Sequence, residues 1–196
     1  MIRTLVILAL GLGLAPQQGG ATVYEIDPAH TSINFAVRHL VINTVRGRFT
    51  DFSGAISYDE KDVTKSSVEF TAKIASIDTD VPQRDEDLRS ANFFDAAKYP
   101  ELSFKSAKVE KHGDQLVCAG TLTIKGVSKQ VEIPFKLSGP IKDPWGNTRI
   151  GVEGAITINR QDYGIVYDRK LPDGGLVVGN DVRIEIDVEG VNKPAK

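Results

Sequence analysis

"DVRIEIDVE" (residues 181–189) places an apolar residue at every second position and a charged residue at each position between. Successive side chains of a β-strand point to opposite faces, so this stretch predicts a strand with one apolar and one charged face. Strands of this kind are typical of antiparallel sheets that are wet on one side, whereas parallel strands are unbroken apolar runs.

The same period of two recurs along most of the chain. It is seen in TSINFAVR (31–38), RGRFTDFSGAISY (46–58), SSVEFTAKI (66–74), ELSFKS (101–106), QLVCAGTLTI (115–124), KQVEIPFKL (129–137) and RIGVEGAITI (149–158). Eight such strands with short connections predict an all-β fold, either an antiparallel barrel or a sandwich. Phe49 and Phe52 fall on opposite parities, which indicates a bulge near Thr50 and Asp51. Pro134 favours an edge position or a bulge in its strand.

Two connections are longer than a barrel needs, and both are predicted to hold short helical segments: residues 77–100 and 159–180. In the first, Asp80 is a candidate N-cap, Pro82 suits a first helical turn, and residues 86–91 favour a helix. The stretch LRSANFFDAAKYP (88–100) also places Phe93 beside Phe94 behind a charged run. We expect the two rings to turn inward, where they either line a cavity or plug the barrel.

The N-terminus has the pattern of a signal peptide. Arg3 precedes the uncharged apolar run 5–14, which is too short to span a bilayer, and small residues follow. Residues 1–21 are therefore predicted to be removed by cleavage after Ala21, or else after Ala15. A retained N-terminal anchor is the alternative. Residues 22–196 then form a single exported domain.

Charge and motifs exclude several classes of function. The sequence has 24 basic and 26 acidic residues, which gives no electrostatic case for a nucleic-acid partner. It has no G-x-S-x-G elbow, Walker loop or H-E-x-x-H motif, so no catalytic residue is assigned. His30 and His39 bracket one strand on opposite faces, which argues against a shared metal site. Asp27 and His30 are either an acid–base pair or, more simply, a hydrogen-bonded turn.

What remains is an apolar interior. An eight-stranded barrel is just wide enough to be filled by side chains or to hold one slender ligand. Periodicity alone does not choose between a packed core and a pocket. The two long connections favour a pocket, because a filled barrel needs no lid. Cys118 lies on an apolar face and is expected to be a buried, inert thiol.

Six ordered blocks of the sequence resemble one known family. They are DPAHTSINFAVRHL (27–40), RGRFTDFSG (46–54), IDT (77–79), RDEDLRSANFFDAAKYPELSFKS (84–106), GTLTIKGVSKQV (120–131) and GAITINRQDYGI (154–165). On these blocks, residues 24–188 resemble the YceI-like family of bacterial polyisoprenoid-binding, lipocalin-like proteins. One position departs from the family pattern: Asp87 stands where a histidine is common.

The resemblance implies an extended eight-stranded antiparallel lipocalin-like barrel. It implies a periplasmic or secreted protein that binds a long isoprenoid, a quinone-like molecule or a similar amphipathic lipid, without catalysis and without a cofactor. Carriage, storage, sequestration and a role in stress responses are all open. Transient contact with a membrane, and a monomeric or homodimeric state, are open as well. The alternatives are a scaffold protein with protein partners and, less favoured, an enzyme acting on a lipophilic substrate.

The candidate ligand-binding residues fall into two sets. The cavity wall is predicted to include Phe35, Val37, Phe52, Phe70, Phe93, Phe94, Phe104, Ile133, Phe135 and Ile156. A polar headgroup at the mouth is predicted to meet His39, Arg46, Arg89 and Arg160 through charge-assisted hydrogen bonds. For Arg160, a structural ion pair with Asp162 is the favoured alternative.

Overall fold

The alternating segments form strands of one antiparallel sheet in a computed structural model that describes residues 20–194. The strands are β1 (Thr22–Ile26), β2 (Ser32–His39), β3 (Asn43–Phe49), β4 (Phe52–Tyr58), β5 (Ser67–Lys73), β6 (Ile77–Asp78), β7 (Glu101–His112), β8 (Gln115–Ile124), β9 (Val127–Lys142), β10 (Thr148–Asn159) and β11 (Val178–Asn192). The predicted signal peptide falls almost entirely on residues 1–19, outside the described range.

The sheet closes on itself as a barrel of eight long strands. β1 pairs with both β4 and β11, and the ring between them runs through β5, β7, β8, β9 and β10. β2 continues the line of β1, because both pair with β11. In the same way β3 and β4 together make one long strand of the barrel, and so do β5 and β6, so the eleven strands form eight long ones. The predicted eight-stranded antiparallel barrel is therefore confirmed.

Three of the eight long strands of the barrel are interrupted. Short 3₁₀ turns interrupt two of them, at Pro28–His30 and at Ile74–Ser76. The third break lies at Thr50 and Asp51, where the change of parity predicted an irregularity. It ends one strand and begins the next instead of forming a bulge within one strand, and this bend lets Phe49 and Phe52 both be buried.

Pro134 lies where β9 changes partners. β9 pairs with β8 from Val127 to Phe135 and with β10 from Phe135 to Lys142. Pro134 therefore has a partner only on the β8 side, as expected for a residue that cannot donate a backbone hydrogen bond.

The helical segments of the two long connections lie at one end of the barrel, whereas a further 3₁₀ turn, Val63–Lys65, follows β4 at the other end. Helix α1 spans Pro82–Arg89, with Pro82 in its first turn as predicted. The predicted cap was wrong: Val81 holds the N-cap position, while Asp80 has a left-handed φ of 61° and bonds to Asp78. A 3₁₀ turn at Arg160–Tyr163 begins the second connection. We call the end that carries α1, residues 90–99 and residues 160–177 the covered end.

The opposite end, where β10 begins and β11 finishes, is held by ion pairs around Arg149, and we call it the clamped end. Among the described residues, no helix is long and apolar enough to cross a bilayer.

Candidate functional site

A long, narrow cavity runs inside the barrel. Its volume is about 250 Å³. Val178 and Val188 both line it, near the two ends of β11. Because β11 is irregular between Val178 and Val182, the paired stretch of β2 from Ser32 to His39 gives the length of this part of the wall, about 23 Å. This shape suits a slender chain better than a bulky ring system.

The inward positions of nearly every strand supply the wall. Along β10 and β11, for example, Val152, Ile156 and Ile184 point inward, while Glu153 and Glu185 take the outward positions of the alternation. The other long strands supply most of the remaining wall in the same way, and the accessible surface of the wall is apolar. The cavity is therefore suited to a hydrocarbon ligand rather than to a polar one.

The structure brings nearly all of the predicted wall residues together. The following line the cavity: Phe35, Val37, Phe70, Phe93, Phe94, Phe104, Ile133, Phe135 and Ile156. Phe52 does not. It is buried against Phe70, with 5.8 Å between ring centroids, and Phe70 takes the wall position in its place.

Sequence reasoning missed several wall residues. Phe49 lines the cavity from the end of β3, and Leu88, Tyr163 and Ile165 line it from the two connections. Connections have no alternating pattern that marks their inward side, so the sequence did not indicate Leu88, Tyr163 or Ile165. Phe49 could have been found, because it falls on the opposite parity of the alternation from Phe52, and the strand breaks between them.

The adjacent phenylalanines Phe93 and Phe94 both turn inward. Phe93 stacks on Tyr167, with ring centroids 4.9 Å apart, and Phe94 meets Phe49 edge-on at 6.3 Å. They lie in a tight turn beyond α1, where the backbone N–H of Phe94 donates to the carbonyl of Leu88. The backbone there follows neither strand nor helix geometry, so two adjacent rings can both point into the cavity. Phe93 also joins the two covering connections to each other.

Three of the four residues predicted for the headgroup do not line the cavity. Arg46 is exposed on the outer face of β3, opposite Ala36. His39 ends β2 beyond the cavity wall. Arg89 is half-buried and donates to the carbonyl of Ile77, and its buried Nε has no partner among the described residues.

Arg160 does line the cavity, but its guanidinium is used by the protein itself. It is 4% exposed and donates to the carbonyl oxygens of Ile165, Tyr167, Val178 and Gly179 and to Oδ1 of Asn180. The expected ion pair with Asp162 is absent from the described contacts. Burial lowers the pKa of Arg160. Its evident role is to fasten residues 165–167 to the start of β11.

At the clamped end, Arg149 gathers three carboxylates. Its guanidinium lies 2.8 Å from Asp143 and 2.9 Å from Asp27, and it also bonds to Glu189. Hydrogen bonds from His30 and then Arg149 lower the pKa of Asp27 to about 2. Burial alone would raise the pKa of Asp143, but bonds from Arg149 and Asn147 outweigh it and lower that pKa to about 2.

This cluster explains the Asp27–His30 pair. Asp27 caps the 3₁₀ turn by accepting from the N–H of Ala29, and its other oxygen bonds to His30 and Arg149. Asp27, His30 and Glu189 offer ligand atoms within 4.8 Å of one another. Arg149 already bonds to two of the three, however, so its guanidinium supplies the positive charge there. The turn interpretation fits this geometry, and none of these residues lines the cavity.

Cys118 lies in the cavity wall and is 7% exposed. Burial raises the pKa of its thiol to about 11, so the reactive thiolate is scarce at neutral pH. It contributes to the wall as a small apolar side chain.

Comparisons with known proteins agree with this architecture. The YceI-like domain matches residues 24–190. A UPF0312 protein of Pseudomonas aeruginosa is 37% identical over 97% of this chain and 98% of its own. The crystal structure of a Campylobacter jejuni YceI protein is 32% identical, with a TM-score of 0.69 over 80% of this chain and 90% of that one.

A third neighbour is described as a polyisoprenoid binding domain from Saccharophagus degradans. Its TM-score is 0.67, and the match covers 87% of this chain and 98% of that domain. At 18% identity, this likeness shows a shared fold alone.

Proposed function

This chain belongs to the YceI-like family, and we propose that it is an exported binding protein that holds a long isoprenoid or similar amphipathic lipid in its barrel. The observation that carries this proposal is the narrow cavity inside the barrel, whose accessible wall is apolar from the covered end toward the clamped end. A lipid-binding role is also supported by the fold shared with a polyisoprenoid-binding domain.

Burial of the lipid tail supplies the binding free energy. Moving apolar surface from water into an apolar environment is worth about 25 cal/mol per Å². An isoprenoid chain is slender, unbranched apart from its methyl groups, and entirely apolar, so it matches a lumen of this length and width. A polar head would stay outside the wall region. Of the predicted headgroup residues, Arg89 keeps a buried Nε without a partner among the described residues, but it does not line the cavity.

We propose binding without catalysis. The polar pairs that resemble catalytic groups are used for structure: Asp27 and His30 bond to each other and to Arg149 outside the cavity. Arg160, the cavity's charged residue, donates to backbone carbonyls. Carriage, storage and sequestration all follow from such a site, and each requires only that the lipid enter and leave.

Native mass spectrometry of the protein purified from its own host tests the binding proposal. We expect one apolar ligand per chain, recoverable by solvent extraction. Ile156→Trp should obstruct the lumen and strongly reduce the amount of this ligand. Thr157→Trp is the matched control, because it adds the same side chain on the outer face of the same strand. A ligand-free wild type, or equal lipid in both variants, would refute lipid storage in the lumen.

Export is tested by the mass of the mature chain. Cleavage after Ala21 leaves Thr22 as the first residue, and the protein should then appear in the periplasmic or extracellular fraction. Replacing Leu8 by Arg interrupts the apolar run and should leave the full-length chain in the cytoplasm. A full-length wild-type chain outside the cytoplasm would instead support a retained anchor.

A further inference from the structure

The tip of the β2–β3 hairpin exposes apolar side chains. Val41 is 57% exposed and Ile42 is 81% exposed. Asn and Gly are the usual residues of a tight hairpin, because they accept left-handed backbone conformations and water solvates them well. The Leu40-Val41-Ile42 tip has neither property.

The backbone of this tip is also strained. Leu40 has a φ of 50° and Val41 a φ of 63°. A β-branched residue at positive φ is an outlier, since its side chain crowds the backbone. Strain of this kind persists where the surrounding structure enforces it, and it clusters at functional sites.

The tip is fixed at the covered end of the cavity. Leu40 donates its N–H to the carbonyl of Val177 at 2.9 Å, and Arg38 donates to the carbonyl of Val41. Val41 also lies beside Gly175, where an added Cβ would meet its Cγ2 at 3.2 Å. Val37, only three residues before Leu40, lines the cavity. The exposed tip therefore adjoins the segment that covers the cavity.

The hairpin is positively charged within an acidic protein. From Ser32 to Phe49 it carries Arg38, Arg46 and Arg48 and no acidic residue, while the whole chain has a net charge of −2. Arg48 pairs with Asp78. Arg38 and Arg46 are exposed and form no ion pair with any described residue. The neighbouring covering segment, residues 160–177, has no net charge, because it contains three basic residues (Arg160, Arg169, Lys170) and three acidic residues (Asp162, Asp168, Asp173).

We propose that this hairpin docks the protein on a bilayer that contains anionic phospholipid. Val41 and Ile42 enter the interfacial region, and Arg38 and Arg46 meet lipid phosphates. Interfacial segments combine an apolar insertion with basic residues in this way. Docking presents the covered end of the cavity to the membrane. The inference goes beyond the proposed function, because it assigns a membrane-binding surface that does not depend on the identity of the cargo.

An exposed aromatic residue at the other end of the barrel provides an internal control. Trp145 is 78% exposed in the β9–β10 turn at the clamped end. Tryptophan is common at membrane interfaces, so Trp145 would dock the molecule in the reverse orientation. The cluster beside it joins Arg149 to the carboxylates of Asp27, Asp143 and Glu189, so even with the exposed Lys142 nearby this end lacks the basic face of the β2–β3 hairpin.

Sedimentation of residues 22–196 with vesicles tests the proposal. The vesicles are phosphatidylcholine, with or without phosphatidylglycerol. We expect binding to the phosphatidylglycerol vesicles that weakens with salt. Val41→Asn combined with Ile42→Asn should lower the partition coefficient at least tenfold, and Asn suits the left-handed position. Arg46→Gln should lower it about fivefold, the effect of one basic residue near an anionic surface. Trp145→Gln should leave it unchanged.

Thermal melts establish that each variant is folded. If the double variant unfolds, Ile42→Asn alone replaces it, with the same direction of change. The proposal is overturned if the wild type does not bind phosphatidylglycerol vesicles, or if the tip variant partitions as strongly as the wild type. It is also overturned if Trp145→Gln loses binding. Co-purified lipid together with no vesicle binding would refute this inference and leave the proposed function standing.

Discussion

The two ends of the barrel are each held by one arginine, in opposite electrostatic surroundings. Arg149 at the clamped end bonds to the carboxylates of Asp27, Asp143 and Glu189. Arg160 at the covered end is buried and bonds to backbone carbonyls and one amide oxygen. One cation is surrounded by charges that titrate, and the other by dipoles that do not.

This difference separates a pH-sensitive clamp from a pH-independent latch. Carboxylates lose their charge in acid, so the Arg149 cluster weakens there. The carbonyl acceptors of Arg160 keep their hydrogen bonds at any ordinary pH. A buried cation is costly unless its hydrogen bonds are satisfied, and Arg160 meets that condition without a counter-ion. The segment that covers the cavity is therefore held by geometry rather than by net charge.

The largest expected effect is that of Arg160→Ala. It leaves several buried carbonyl oxygens without donors, at about 1–3 kcal/mol each where water cannot replace them, so we expect a loss of about 3 kcal/mol or more in unfolding free energy. Urea denaturation measures this. Arg183→Ala is the control, because Arg183 is exposed and pairs only with the exposed Glu185 among the described residues. A change below about 1 kcal/mol in the free energy of unfolding would mean that Arg160 does not hold the covering segment in place.

The next largest effect is expected at Phe93 and Phe94, where the two alanine substitutions should differ. Phe93 is 7% exposed and stacks on Tyr167, so Phe93→Ala should cost about 3 kcal/mol. Phe94 is only partly buried, so Phe94→Ala should cost less and should chiefly speed the release of a bound lipid. Urea denaturation and lipid-release rates measure the two effects. Lost stability with unchanged release in both variants would identify a plug that never opens.

A smaller effect is expected from acid at the clamped end. The pKa values of Asp27 and Asp143 are about 2 in the folded protein and about 3.9 in an unfolded chain. Their contribution to stability is therefore complete above pH 4 and is lost as the pH falls toward 2. Asp27→Asn with Asp143→Asn should lower the melting temperature at pH 7 and flatten its decline between pH 4 and pH 2. A wild-type slope in the double variant would contradict the clamp.

The barrel could be predicted because its strands have one dry and one wet face. Ile184 beside Glu185 shows that alternation directly in the sequence, and Phe49 with Phe52 shows where it breaks. The Arg160 latch could not be predicted, since its acceptors are backbone carbonyls that leave no mark on residue type. The prediction that Asp80 caps α1 failed because Asp80 has a left-handed backbone conformation and Val81 holds the N-cap position. The headgroup prediction rests on charge and on a position near the mouth of the barrel, and neither shows which face of a strand Arg46 takes.

Binding of linear prenyl alcohols of increasing length, measured by displacement of an apolar fluorescent dye from lipid-free protein, tests the central claim most directly. If the lumen takes up the chain, each added five-carbon unit should strengthen binding by at least about tenfold, because each of its buried carbons contributes up to about 0.8 kcal/mol. The gain should stop once the chain fills the wall between Val178 and Val188. An affinity independent of chain length, or one equally strong in Ile156→Trp, would contradict a lipid held inside the barrel.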